Sequence, residues 1–198
     1  MVDSKKSIFC SFGQNQKQMF ATSIVLILFT LAFQTFPLAL GFEGKTPVKA
    51  LLYGGIIIFV QVAFLVLGLV LGDRFMHLLE AYRGTVIFVG FFLVGVRMII
   101  DSFKVRRGER TYSLDTNLQL ILAAVAQSIN TFLAGMILVN FALDRQWLTI
   151  VLFLLTLVST GFGLFLKPTK LPLAAASLLF AIGGLIMIFS SVYLGFIN

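Results

Sequence analysis

The sequence predicts an all-α integral membrane protein with six transmembrane helices, arranged as two inverted three-helix repeats. Three observations carry that expectation. Of 198 residues, 59% are hydrophobic and only 12% are charged, about half the charged share of a soluble domain. Marking every charge leaves uncharged runs at 18–42, 50–72, 116–143, 146–166 and 171–198, each longer than the roughly 20 residues that carry a helix across the hydrocarbon layer. Finally, polar landmarks in the first half of the chain reappear in the same order in the second.

The first span, 18–42, is too long for a signal-peptide core and has no small-x-small cleavage site before a soluble domain, so it stays as a helix. Ahead of it, residues 1–18 are polar and form a tail that is mobile unless something holds it; a membrane protein partner is the expected holder. The second span is 50–72, and "GDRFMHLLEAYRG" after it places Phe75, Leu78, Leu79 and Tyr82 at helical spacing with charges opposite. That segment reads as an amphipathic connector lying in the membrane interface. The third span, 84–103, is interrupted only by Arg97 and Asp101. The basic stretch 104–116 is the one substantial hydrophilic loop and divides the chain into a first repeat, 19–103, and a second, 117–198.

The halves align on their polar residues. Gln34-Thr35-Phe36 in span one matches Asn130-Thr131-Phe132 in span four; Gln61 and Thr156 each stand seven residues before a glycine, Gly68 and Gly163; "GVRMIID" from Gly95 matches "GLIMIFS" from Gly184. A unit with an odd number of helices enters the membrane in opposite senses when repeated, and such inverted repeats converge on a midplane axis. Gln34, Gln61, Asn130, Thr131 and Thr156 therefore share a polar centre. Pro37 adds a break in span one, because it has no N–H and cannot accommodate the carbonyl of Phe33. Two readings of this centre stand side by side: a solute or ion site, ancestral or active, or amides and hydroxyls that only tie helices together at about 1 kcal/mol each. Arg97 and Asp101 lie four apart on one face of span three, so their charges partly offset each other; they mark a functional site or a pair drawn toward the interface.

Composition excludes several classes. The single cysteine, Cys10, rules out a disulfide framework, and the single histidine, His77, lies between spans two and three, which disfavours a membrane serine protease. No nucleophile with its base, metal-ligand cluster or phosphate-binding loop can be assembled, so the chain is not expected to be an enzyme or to hold a cofactor. A net charge of +7 reflects bases at span ends and implies the lipid bilayer, not nucleic acid, as partner. Eight Lys and Arg flank the loops after spans one, three and five, against six on the other side, which by the positive-inside bias puts the N-terminus outside.

With these motifs in hand, the chain resembles the bacterial manganese efflux pump family from about Phe29 to Phe196. "FFLVGVRMIIDSF" resembles that family's third helix, "AVAQSINTFLAGMIL" its fourth, "LAFQTFPLALGF" its first and "LLYGGIIIFVQVAFLVLGLVLG" its second. The resemblance implies a multi-pass protein of the bacterial inner membrane, in which the charge bias puts the N-terminus on the periplasmic side. It also implies an aspartate in the first and fourth motifs and a glutamate in the second helix, held to bind the metal. Those positions are Gln34, Asn130 and Gln61 here, and only Asp101 remains of the acids. Mn²⁺ prefers carboxylate oxygens, and its dehydration in low dielectric costs tens of kcal/mol before compensation. The expectation is a manganese-exporter fold without manganese transport, serving as a membrane subunit or scaffold; the alternative is an active exporter of Mn²⁺ or another small solute.

Overall fold

The computed structural model describes residues 2–40, 46–107, 117–141, 143–166 and 170–197, with the side chains of 2–17, 170–172 and 197 left out. Among the described residues seven α-helices follow in order: α1 (Val2–Phe33), α2 (Phe36–Leu40), α3 (Pro47–Leu78), α4 (Arg83–Arg106), α5 (Asn117–Leu138), α6 (Arg145–Phe165) and α7 (Lys170–Val192). They make six spans, because α1 and α2 together form the first, Gln18–Leu40. The N-terminal tail, expected as a separate segment over 1–18, is helical from Val2 onward. Its side chains, and with them the expected partner contact, lie outside the described residues. The same holds for the linker 104–116 beyond Arg107.

Local chemistry sets the helix ends. Pro47 begins α3 in its first turn, where its missing N–H removes nothing from the helix. Asp144 caps α6, its carboxylate accepting from the Gln146 amide at 3.0 Å, and so satisfies one of the amides left over at a helix start. The connector after span two departs from expectation. No proline interrupts it, so α3 runs unbroken for 32 residues to Leu78, about 48 Å at 1.5 Å per residue. A single 3₁₀ turn, Glu80–Tyr82, then joins it to α4. Phe75 and Leu78 therefore extend a transmembrane helix instead of forming a separate one lying flat.

The first span is central: 72% of its apolar window is buried inside the protein, against 33 to 50% for the other five. Ile27, Leu28 and Leu31 of α1 pack with Leu65 of α3, Phe91 and Met98 of α4, Leu152 of α6 and Phe180 and Met187 of α7 in one apolar cluster. Around it α3 packs chiefly on α5, and α4 on α7.

Glycines allow the backbones to meet, as is usual where helices associate without a hydrophobic driving force. A Cβ on Gly95 would lie 2.7 Å from the Gly184 carbonyl oxygen, and one on Gly184 would lie 2.7 Å from that of Gly95. Gly68 abuts the Phe132 carbonyl and the Cα of Gly135; Gly163 abuts the Phe36 carbonyl, 2.9 Å from where its Cβ would stand, and Ala39.

Candidate functional site

The break in span one builds the site. Helical hydrogen bonding gives way to the tighter pattern at two successive residues, Gln34 N–H to Leu31 O (3.3 Å) and Thr35 N–H to Ala32 O (3.2 Å), and resumes with Ala39 N–H to Thr35 O (3.0 Å). Pro37 is the second residue of α2. A proline in a first helical turn costs little, whereas inside a continuous helix it costs about 3 kcal/mol or more, so the chain breaks just before it. Gln34 and Thr35 occupy the turn, with their side chains buried at 1% exposure each.

Two amide networks meet beside this turn. In the first, Gln34 Oε1 accepts from Gln127 Nε2 and from Asn130 Nδ2, both at 3.1 Å, while Gln34 Nε2 lies 3.1 Å from the Met98 sulfur. In the second, Gln61 Nε2 donates to Thr131 Oγ1 (2.6 Å) and to the Leu31 carbonyl (3.0 Å), and Gln61 Oε1 accepts from Ser128 Oγ (2.8 Å). A third, smaller group ties the turn to α6: Thr35 Oγ1 lies 3.1 Å from Thr160 Oγ1 and donates to Ala32 O at 2.8 Å.

The expected residues are thus largely brought together. Gln34 bonds directly to Asn130, and Gln61 to Thr131. Thr156 is fully buried in α6 and outside these networks; among the described residues its hydroxyl has no hydrogen-bond partner, and neither has Asn130 Oδ1. Gln127 and Ser128, which share the polar cluster of Asn130 and Thr131 in the sequence, join them here, while Met98, Thr160 and Ser159, whose hydroxyl lies 3.5 Å from Thr35 Oγ1, are participants that the polar landmarks did not include. Met98 carries no polar flag, and Ser159 and Thr160 lie three and four residues past Thr156, a spacing that would have placed them on its face.

Arg97 and Asp101 form a charged group on α4. The Asp101 side chain is 3% exposed and faces two cations at the edge of ion-pair range, Arg97 Nε at 4.0 Å and Lys104 at 3.9 Å. Arg97 also reaches the Ala126 carbonyl of α5 at 3.3 Å. The sequence offered Arg97 alone as counter-charge; Lys104, one helical turn beyond Asp101, is the second. Among the described residues, two cations thus face this one carboxylate. Among the described residues no group of three or more His, Cys, Asp or Glu could hold a metal ion.

Comparison with known proteins decides the lineage. The family model described as "Putative manganese efflux pump" matches residues 44–194. The chain belongs to the manganese efflux pump family. The match takes in Gln61, Arg97, Asp101, Asn130 and Thr131, and stops short of Gln34 and Pro37 in the first span. No curated protein and no solved structure matches the chain. Pumps of this family are transporters, so membership agrees with a protein that is not an enzyme.

Proposed function

We propose that this protein is a manganese-efflux-family membrane protein whose intramembrane centre no longer carries manganese, and that it works as a non-transporting subunit or scaffold in the bacterial inner membrane, its N-terminus periplasmic. One observation supports this most: Gln34, Gln61 and Asn130, the positions where the family resemblance puts carboxylates, are neutral amides hydrogen-bonded across helices. Amides bring no charge to offset a stripped dication and do not titrate, so neither Mn²⁺ binding nor its exchange for protons is served.

The proposal includes an inverted-repeat architecture, supported by matched close approaches. Gly68 meets Phe132 as Gly163 meets Phe36, Gly135 faces Gly68 as Ala39 faces Gly163, and Gly95 and Gly184 meet each other. Each pair of contacts joins positions that the two halves share in sequence. A twofold axis passing between Gln34 and Asn130, and again between Gly95 and Gly184, accounts for all of them.

The test is manganese flux in proteoliposomes, together with affinity purification in mild detergent. The reading expects no Mn²⁺ movement above empty vesicles and a stable second protein that is lost on deleting residues 1–18. Robust Mn²⁺ transport abolished by an Asn130 substitution would overturn it. A second reading rests on the buried oxygens of Asn130 and Thr156, which have no partner among the described residues: they suit a transporter of a small neutral solute that donates hydrogen bonds. Isolation only as a lone monomer or self-dimer would favour that reading.

A further inference from the structure

Among the described residues, Arg97 is the cation that lies deepest in a span, and its side chain is 38% exposed on the outside of the helix bundle. Arg83 and Lys104 bracket α4 in the membrane: at 1.5 Å per residue they lie about 32 Å apart, close to the ~30 Å of the hydrocarbon layer. Arg97 then stands about 10 Å below the boundary at Lys104. The neighbouring helix gives the same depth. Ala126, whose carbonyl accepts from Arg97 at 3.3 Å, belongs to α5, which begins at Asn117, about 13 Å back along the helix.

The positions around Arg97 form one outward surface. Leu93, Ile100 and Lys104 flank it on α4 at helical spacing, and Ala126 and Ile129 lie beside it on α5, all of them exposed. Ala126 has the smallest of these side chains, so a further helix can approach most closely next to the guanidinium. A guanidinium carries five N–H donors. Among the described residues the Ala126 carbonyl takes one, and Asp101, 4.0 Å from Nε, is shared with Lys104. Donors and positive charge are thus left over at a depth where lipid tails supply no acceptor.

Whatever covers this face must bring an anion to that depth. A phospholipid phosphate would have to sink about 10 Å below the boundary to reach Arg97. A second copy has no acid to offer: the described carboxylates of this chain are Asp73, Glu80 and Asp144 at span ends, and Asp101, which is buried. A foreign membrane helix with one Asp or Glu meets the demand, its apolar flanks covering Leu93, Ile100 and Ile129 and its carboxylate matching the guanidinium fork. We propose that the α4–α5 face docks the membrane-spanning helix of a partner protein through a carboxylate opposite Arg97. Such a surface rests on the subunit reading and adds the partner's chemistry to it.

The experiment places the full chain, labelled at its single cysteine, Cys10, in phosphatidylcholine vesicles. The probe is a fluorescent leucine–alanine helix of about 22 residues carrying one glutamate about 5 Å from its midpoint, and energy transfer reads association. Expected is binding at least about tenfold tighter than for the same helix with leucine in place of the glutamate. Arg97→Met should erase that preference, and Arg97→Glu should prefer a helix with lysine instead. Ala126→Phe changes an exposed position, so it should melt as the parent does while the glutamate helix binds about tenfold more weakly; it serves where Arg97→Met does not fold. Equal binding of the glutamate and leucine helices to the parent, or a preference that survives Arg97→Met, overturns the proposal. So does an Arg97-dependent enrichment of phosphatidylglycerol in mixed vesicles without any glutamate preference, which would make lipid the occupant. Loss of a co-purifying protein on deleting residues 1–18 is a separate readout. Where it holds and the glutamate preference fails, this face alone is refuted; where the preference holds and it fails, the tail contact alone is.

Discussion

Replacing Gln61 with leucine separates a structural role for the amide networks from a solute-binding one. Leucine nearly conserves volume, so the apolar contacts of the fully buried side chain survive and the change is chiefly polar. Three hydrogen bonds disappear: to Thr131 at 2.6 Å, to the Leu31 carbonyl at 3.0 Å and from Ser128 at 2.8 Å. Interhelical bonds in membrane proteins average about 0.6 kcal/mol and reach about 1.7, which puts the sum at about 2 kcal/mol and caps it near 5. The lower figure is the better one here. The hydroxyls of Ser128 and Thr131 can turn to carbonyls on their own helix, and the Leu31 carbonyl keeps the amide of Gln34. A loss of 2 kcal/mol corresponds to a fall of about 4–8 °C in Tm for a chain of this size. Thermal unfolding in detergent, followed through the single Trp147 or by circular dichroism, measures it. Gln61→Glu keeps the acceptor for Ser128, so it should lose less than the leucine does. If Gln61→Leu melts with the parent, the networks do not hold the helices together, and the amides belong to a solute site.

Further outcomes follow from the same contacts. Gly95→Ala places a methyl 2.7 Å from the Gly184 carbonyl; backbone cannot yield as a flexible side chain does, so a loss of about 1–3 kcal/mol is expected, read as a lower melting temperature that Gly161→Ala does not share. Restoring acids through Gln34→Asp, Gln61→Glu and Asn130→Asp together should create Mn²⁺ binding, detectable by the manganese electron paramagnetic resonance signal of the purified protein; no gain in affinity would refute the assignment of these positions to the ancestral ion site. The Asp73–Arg145 ion pair, at 3.0 Å but with both side chains more than half exposed, should show a coupling below about 1 kcal/mol in a double-mutant cycle, and the coupling should vanish in high salt.

Much of the architecture was legible because a bilayer demands internally hydrogen-bonded spans of a certain length and apolarity. The six spans, the break at Pro37 and the grouping of Gln34, Gln61, Asn130 and Thr131 near one centre could be read before any coordinates; which of them bond to one another could not. The connector after span two was misread because amphipathic spacing looks the same in a helix lying flat and in the protruding end of a long one. Lys104 was overlooked as a partner of Asp101 because, in sequence, it belongs to a basic loop and not to a span.

By itself, then, the sequence determined what each segment is: hydropathy and charge, counted residue by residue, fix which helices cross the membrane and which side chains are polar within it. Only the tertiary structure decided which of those side chains face one another. Hydrogen bonds act over about 3 Å, and whether Gln34 reaches Asn130 or Thr35 reaches Thr160 depends on where glycines let distant backbones touch. That is a property of packed pairs, and no single segment carries it.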